Sequence, residues 1–197
     1  ADEKLEIYIV TDEDMDNPRE YKRFSLTDGD NGVSPRALPC AGEAIVRVTG
    51  NEHDETGSIS EDAGNKVRMS KKRREKVGAI VREMKLPDCI HAGSEYMLTA
   101  WGSSRGSVLE ACDILRSKDM EFGAFIFNDI WPMDREQLTD LFKDKKLIMV
   151  EQNANCQLGR LIAQETGVLY HSSILKDDGR PMHPNFIVEQ IINRDII

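Results

Sequence analysis

The sequence predicts an α/β protein of three layers (α/β/α), in which a mostly parallel sheet lies between helices. Three apolar segments support this prediction, at residues 96–101, 123–127 and 147–150. Each has the composition of a buried strand, and each is followed by a polar turn and by apolar residues at helical spacing. Strands that alternate with helices of about three turns pair in parallel through right-handed crossovers. We therefore expect residues 93–197 to form one domain.

The third of these segments organises the prediction. Glu151, Gln152 and Asn153 follow its strand directly, and the next helix closes at Gly167. In open α/β sheets, ligands and partners bind at the carboxyl ends of the strands. We expect this edge of the sheet to be exposed and to carry contact residues, which are Trp101, Asp129, Trp131, Glu151 and Asn153.

Further patterns complete the α/β domain. The helix after the first of the three strands has an apolar stripe formed by Val108, Ala111, Cys112 and Leu115. Asp134 and Gln137 have the spacing of a capping box for a short helix. Residues 168–171 are expected to form a short peripheral strand, and Pro184 is expected to begin a closing helix.

The first 92 residues are expected to form a linker or partial segment with short strands and one helix. Leu5–Thr11 and Ala44–Thr49 have the composition of strands. The polar stretch between them, which includes the loop Asp28–Gly32, is expected to lie along a surface.

The helix of this segment is expected over about residues 65–84, with Ser60 or Asp62 as its N-cap. Its apolar stripe is formed by Val77, Ile80, Val81 and Met84. The basic run Lys71–Lys76 predicts either a solvated helix face or a docking surface for an acidic partner.

Composition excludes several classes of protein. The chain of 197 residues is 40% hydrophobic and has a formal net charge of −9, which argues against a general nucleic-acid binder. No apolar run approaches the roughly 18–20 residues of a membrane span. The four cysteines lie far apart and form no Cys-x-x-Cys pair, so neither a zinc ribbon nor an iron–sulfur cluster is expected. We expect a cytoplasmic protein.

Two segments carry residue types that are used in catalysis or binding. Gly102–Gly106, with Arg105, lies where a phosphate loop would lie, and it could take coenzyme A or a nucleotide. It lacks the Gly-x-Gly-x-x-Gly and P-loop patterns, so the alternative is a structural turn. Asn51–Glu55 has residue types for acid–base work around His53 or for binding a hard metal ion. The alternative is a loop that is fixed by its own hydrogen bonds or that touches a neighbouring subunit. The remaining histidines, His91, His171 and His183, are expected to be structural.

Seven short segments, taken in their order along the chain, resemble those of a known protein family. They are Gly32–Pro39, Thr49–Glu55, Lys72–Arg73, Trp101–Ser104, Trp131–Pro132, Val150–Ala154 with Gln157–Leu158, and Leu175–Pro181. From about Tyr21 onward, the series resembles the C-terminal half of the alpha subunit of 2-oxoacid:ferredoxin oxidoreductases, nearest the 2-oxoglutarate type. Residues 95–197 are similar to the C-terminal domain of transketolases. Cys156 stands where the family usually has a glycine.

The resemblance implies a thiamine-diphosphate enzyme that decarboxylates a 2-oxoacid, passes electrons through iron–sulfur clusters to ferredoxin and yields an acyl-CoA. Thiamine diphosphate and Mg²⁺ would be held by an N-terminal domain and a beta subunit, which also carries the cluster cysteines. Gamma or delta subunits are further partners in such oligomers.

For this chain, the resemblance implies assembly and support. We expect no catalytic, cofactor-binding or metal-ligating residue, no nucleic acid and no membrane, and no activity of the chain alone. The expected interface residues are Asn51, Glu52, His53, Trp101, Gly102, Ser103, Trp131, Glu151 and Asn153.

Overall fold

The computed structural model describes residues 9–26, 32–194 and 196. The chain divides into two compact units, 1–82 and 83–197. In the first unit, strand β1 (Ile9–Val10) pairs in parallel with β2 (Arg36–Ala37). Of the strand predicted at Leu5–Thr11, only the part from Ile9 onward is described. Of the predicted loop Asp28–Gly32, only Gly32 lies among the described residues.

Helix α1 (Ala63–Glu83) begins after Asp62, whose carboxylate accepts a hydrogen bond from Asn65 N at 2.6 Å. The predicted inner stripe is wrong, because Val77 and Ile80 are more than two-fifths exposed. The buried side chains are instead Asn65, Met69 and Lys72. The two polar ones are buried because each finds hydrogen-bond partners.

The burial of Lys72 explains part of the difference between the predicted and the observed buried side of α1. Its ammonium donates to the carbonyl of Ser25 and to the hydroxyl of Ser34. Desolvation lowers the pKa of Lys72, and the charges of Lys76 and Arg23 add to this effect. The basic run is therefore not one solvated face, because Lys72 turns inward while its neighbours point to solvent.

The strand predicted at Ala44–Thr49 is absent from the structure. Its residues have strand composition, but a strand forms only where a second backbone supplies a ladder of hydrogen bonds. Among the described residues, the nearby chain forms a single antiparallel bridge between His53 and Ile59 instead.

The second unit is a five-stranded sheet covered on both faces, in agreement with the predicted fold class. Its strands are β3 (Asp88–Ile90), β4 (Tyr96–Trp101), β5 (Phe122–Phe127), β6 (Lys146–Glu151) and β7 (Ser172–Leu175). The spatial order is β3-β5-β4-β6-β7. All neighbours are parallel except β3, which runs antiparallel to β5.

Three helices connect the strands from β4 to β7, and a fourth follows β7. They are α2 (Arg105–Arg116), α3 (Arg135–Leu141), α4 (Gln157–Thr166) and α5 (Pro184–Asn193). Their positions agree with the predicted helices, including the cap of α3, where Asp134 accepts a hydrogen bond from Gln137 N. None of the helices in the described part of the chain is long and apolar enough to cross a bilayer.

Alternation along the strands creates two cores, because successive side chains point to opposite faces of the sheet. Leu98, Ala124 and Ile148 face one side, where they pack with residues of α2 and α5. Met97 and Phe125 face the other side, where they pack with residues of α3 and α4. The sheet is therefore the middle layer of three.

Two details of the sheet differ from the prediction. The last strand begins at Ser172, whereas residues 168–171 were predicted, because the chain leaves α4 at Gly167 in a left-handed conformation and first crosses to β6. His171 N then donates to the carbonyl of Leu147 at 2.8 Å. Strand β3 was not predicted, since three residues carry too little periodicity to be recognised.

Candidate functional site

The carboxyl edge of the sheet is the first candidate surface. Strands β4, β5, β6 and β7 are parallel, so their carboxyl ends share one edge. Trp101 ends β4 and is 38% exposed, while Trp131, in the loop after β5, is 58% exposed. Large exposed aromatic side chains are enriched at protein interfaces.

Glu151 departs from its predicted place on this surface. It ends β6 but is only 1% exposed, so the prediction of an exposed contact group is wrong. Its carboxylate accepts hydrogen bonds from Leu158 N at 3.0 Å, from Gly159 N at 3.1 Å and from the Asn153 amide at 2.8 Å. Free N–H groups at a helix N-terminus favour a negative charge, which explains why a carboxylate is buried here.

Asn153 completes this cap. Its side-chain oxygen accepts hydrogen bonds from Asn155 N at 3.1 Å and from Gln157 N at 3.3 Å. The first three N–H groups of α4 are therefore satisfied by the chain's own side chains. This helix start positions the loop after β6 and is not open to an anionic ligand.

Gln152 is the residue at this edge that sequence reasoning did not select. Its amide nitrogen donates to the hydroxyls of Ser103 and Ser104, at 3.3 and 3.4 Å, and its oxygen accepts from Met182 N at 3.1 Å. The Met182 carbonyl in turn accepts from Ser107 at 2.8 Å. Gln152 thus joins the segments that follow β4, β6 and β7, and only the three-dimensional fold brings these segments together.

The glycine-rich turn Gly102–Gly106 forms the connection between β4 and α2. Gly102 adopts a positive φ of 59°, and the 3₁₀ turn Gly102–Ser104 leads directly into α2. The Arg105 guanidinium forms an ion pair with Asp88 at 2.5 Å, which holds the pKa of that carboxyl below its usual range. Arg105 is thus paired with a carboxylate, and both side chains of the pair are 46% exposed.

The second candidate surface is the loop 51–60 in the first unit. The Glu52 carboxylate pairs with Lys66 at 2.6 Å and with Arg73 at 2.7 Å. Hydrogen bonds from Lys66 and from Arg73 lower its pKa to about 2. Glu52 is therefore an anionic anchor that ties the loop to α1.

His53 is held by this loop in a way that does not favour proton transfer. Its Nδ1 lies 3.0 Å from the carbonyl of Asn51, and its ring packs 4.0 Å from the ring of Phe24. Asp54 accepts hydrogen bonds from Thr56, and these lower the pKa of the Asp54 carboxyl. Of the two readings of this segment, a loop fixed by its own hydrogen bonds fits the geometry better.

The His, Cys, Asp and Glu side chains of the described residues do not form a site for the metal ions or clusters that the family resemblance implies. Within residues 9–26, 32–194 and 196, no group of three or more His, Cys, Asp or Glu side chains could hold a metal ion. Cys112 and Cys156 are buried, and Cys40 and Cys89 are exposed. No step of metal or cluster chemistry is therefore assigned to the described residues.

Comparisons with known proteins identify sequence relatives of this chain. No protein-family model matches the chain. It is 33% identical over 177 residues to "2-oxoacid:ferredoxin oxidoreductase 2, subunit alpha" of Aeropyrum pernix, a match that covers 86% of this chain and 27% of the relative. It is 31% identical over 194 residues to a 2-oxoacid:ferredoxin oxidoreductase alpha subunit of Saccharolobus solfataricus, with 96% and 29% covered.

A solved structure agrees with these relatives. The 2-oxoglutarate:ferredoxin oxidoreductase of Magnetococcus marinus, solved with 2-oxoglutarate, coenzyme A and succinyl-CoA bound, superposes with a TM-score of 0.71 at 28% identity. The match covers 93% of this chain and 32% of that one. The fold and the relatives thus define an α/β part of an oxidoreductase subunit.

Over 86–96% of its own length, the chain is similar to alpha subunits of 2-oxoacid:ferredoxin oxidoreductases. It spans only 27–29% of the length of these curated relatives. This partial coverage is consistent with the C-terminal part of such a subunit.

Proposed function

We propose that this chain supports a 2-oxoglutarate:ferredoxin oxidoreductase as the C-terminal part of its alpha subunit, and that its role is assembly. The catalytic centre, with thiamine diphosphate, Mg²⁺ and iron–sulfur clusters, would lie in other parts of the complex. Coenzyme A and ferredoxin would be the other reactants. The observation that carries this proposal is the likeness to named alpha subunits over most of the chain.

The carboxyl edge of the second unit is the proposed contact surface for a partner, the beta subunit. The residues that would make direct contact are Trp101, Gly102, Ser103 and Trp131. All four are exposed at this edge, and Gly102 leaves open space for an approaching backbone. Glu151 and Asn153 would act indirectly, by fixing the loop that follows β6. Buried aromatic anchors account for much of the binding energy at protein interfaces.

The loop 51–60 of the first unit is proposed as a separate contact surface. Asn51 is exposed, whereas Glu52 and His53 are half-buried and hold the loop in one conformation. Their proposed role is to present this loop to a neighbouring subunit, and not to transfer protons.

Binding of a nucleotide or coenzyme A at residues 102–106 is less favoured, because Asp88 neutralises Arg105. An Arg105→Ala variant separates the two proposals. Calorimetry with coenzyme A and ADP is expected to detect no 1:1 binding to the chain. Micromolar binding that is lost in Arg105→Ala would instead support the nucleotide-binding function.

Co-purification tests the assembly proposal. A full-length alpha subunit that carries this sequence is co-expressed with a tagged beta subunit, and the recovered alpha subunit is quantified. The double change Trp101→Ala and Trp131→Ala is expected to lower recovery by about tenfold, as loss of two aromatic anchors would. Leu169→Ala is the matched control, since Leu169 is an exposed apolar residue before β7, at the opposite edge. Equal recovery of both variants would contradict the proposed surface.

Activity gives a second test. The chain alone is expected to show no 2-oxoglutarate oxidation when it is given thiamine diphosphate, Mg²⁺, coenzyme A and an electron acceptor. Turnover by the purified chain would contradict a supporting role.

A further inference from the structure

Helix α1 concentrates positive charge in an acidic chain. It carries eight Lys and Arg residues against two Glu, whereas the whole chain has a net charge of −9. Three of the basic side chains are used internally: Lys72 is buried, and Lys66 and Arg73 pair with Glu52. Of the other five, Lys76 is half-buried and four are exposed.

Four exposed cations of α1 cover the side opposite the buried residues Asn65 and Met69 and one flank of the buried face, where Arg68 lies. They are Arg68, Lys71, Arg74 and Arg82. At 100° per residue they occupy an arc of about 120°, and they extend over about 21 Å of the helix axis. We call these four residues the basic strip.

The basic strip is poorly neutralised. Within the part of the chain that the structure describes, Arg68, Arg74 and Arg82 form no ion pair. Lys71 has only a 3.7 Å contact with Glu75, and both side chains are exposed. Exposed pairs of this kind contribute little to stability, so a partner can displace the contact at low cost.

The strip is interrupted by one exposed acidic residue, Glu75, and contains a glycine, Gly78. Gly78 lies on the same side, and a Cβ added there would meet only the Arg82 guanidinium, at 3.8 Å. Glycine weakens a helix interior, yet nothing in the packing of the described residues requires it here. Val67, on the same side, is 66% exposed. Small residues on a helix face permit close approach of a second backbone.

We propose that the basic strip of α1 docks an acidic polypeptide segment of a partner protein. Charge complementarity selects an acidic partner, and the length of the strip matches an extended or helical segment better than a single small anion. A nucleic acid is disfavoured, because the chain is acidic overall and α1 contains no aromatic side chain for base stacking. The residues of this surface belong to the first unit and are not among those assigned to the carboxyl edge.

Fluorescence anisotropy with a labelled peptide tests the proposal on the full chain. The probe is a Glu/Ala peptide of about 20 residues, which covers the strip as a helix. We expect binding in the micromolar range at low salt that weakens at an ionic strength of about 0.15 M. Arg68→Glu with Arg74→Glu is expected to weaken binding at least about tenfold, since like charges would face each other.

The matched control reverses the charge of two exposed lysines of the second unit, in Lys118→Glu with Lys143→Glu. Its change in net charge equals that of the Arg68→Glu and Arg74→Glu variant. It should alter binding by less than about twofold if local charge governs binding. Gly78→Leu is a second variant. It favours the helix but adds a bulky side chain beside Arg82 and Arg74. It is expected to weaken peptide binding while circular dichroism shows the helix retained.

Three results would overturn the proposal. One is equal weakening by the control pair, which would indicate an effect of net charge alone. The second is equally tight binding of an oligonucleotide of the same charge, which would make the partner a nucleic acid. The third is no detectable binding of the acidic peptide to the unmodified chain.

Discussion

The carboxylate of Glu151 lies 3.0 Å from the backbone nitrogen of Leu158 and accepts its hydrogen bond inside the protein. Glu151 is the last residue of β6, and Leu158 is the second residue of α4. A strand end and a helix start, with five residues between them, are thus fixed to each other by one buried charge. This contact decides the path of the loop that contributes Gln152 and Asn153 to the carboxyl edge.

Glu151→Ala is expected to lower the free energy of unfolding by about 3 kcal/mol, because the N–H groups of Leu158 and Gly159 would lose their buried acceptor. Urea unfolding measures the change. Glu110→Ala, at an exposed position of α2, is the control and is expected to have an effect within about 0.5 kcal/mol. Equal effects of the two changes would contradict the role of Glu151 as a helix cap.

Cys156 occupies a left-handed conformation, with φ 51° and ψ 57°, directly before α4. Its buried thiol contacts Glu151 and Tyr170, and burial, followed by the Glu151 charge, raises its pKa to about 11. A glycine would adopt this conformation without strain.

Cys156→Gly is therefore expected to be more stable than Cys156→Ala by about 1 kcal/mol, since both lose the thiol and only Ala keeps a Cβ. Denaturant unfolding of the two variants measures this difference directly. The reverse order is expected at Ala163, within α4, where Ala163→Gly should destabilise by about 1 kcal/mol. If Cys156→Ala proves the more stable variant, the left-handed conformation does not determine this position.

Gly123 in β5 permits the close approach of β3. A Cβ at this position would lie 2.6 Å from the carbonyl oxygen of Ile90 and 2.7 Å from that of His91. Gly123→Ala is expected to destabilise the protein by about 2 kcal/mol, because backbone atoms would have to move. Thermal unfolding checks this, with Gly106→Ala as the control, since a Cβ there meets open space. A neutral Gly123→Ala would mean that β3 tolerates displacement.

Glu52 makes the stability of the first unit depend on pH. Its pKa is lowered from 4.5 to about 2 by Lys66 and Arg73, so the ionised form is favoured in the folded state. The stabilisation is complete above pH 4.5 and is lost as the pH falls toward 2.

The difference in Tm between the parent chain and Glu52→Gln should therefore shrink over this range of pH. Thermal unfolding at a series of pH values measures it. Glu61→Gln, at an exposed position without an ion pair among the described residues, is the control. A difference in Tm that stays constant with pH would contradict the proposed pairing of Glu52.

The sequence was most informative where a pattern repeats. Strands β4, β5 and β6 and the helices that follow them have apolar periodicity over many residues, and their prediction is confirmed. The cap of α3 was also predicted, because Asp134 and Gln137 are only three residues apart. Patterns of this kind are local, so they can be recognised without knowledge of the fold.

Contacts between distant residues could not be predicted in the same way. Gln152 contacts Ser103 and Met182, and Lys72 contacts Ser34, across 30–49 positions of sequence. The buried face of α1 was misassigned for the same reason. A polar side chain is buried where partners exist, and those partners come from other parts of the chain.

The amino-acid sequence by itself determined the layered α/β architecture and the family resemblance, because apolar periodicity and the order of short motifs are properties of a linear chain. Only the tertiary structure decided that Glu151 is a buried helix cap, that Arg105 is neutralised by Asp88, and which side of α1 is left with unpaired cations. These outcomes depend on desolvation and on the distance between charges, which are fixed only when distant segments pack together.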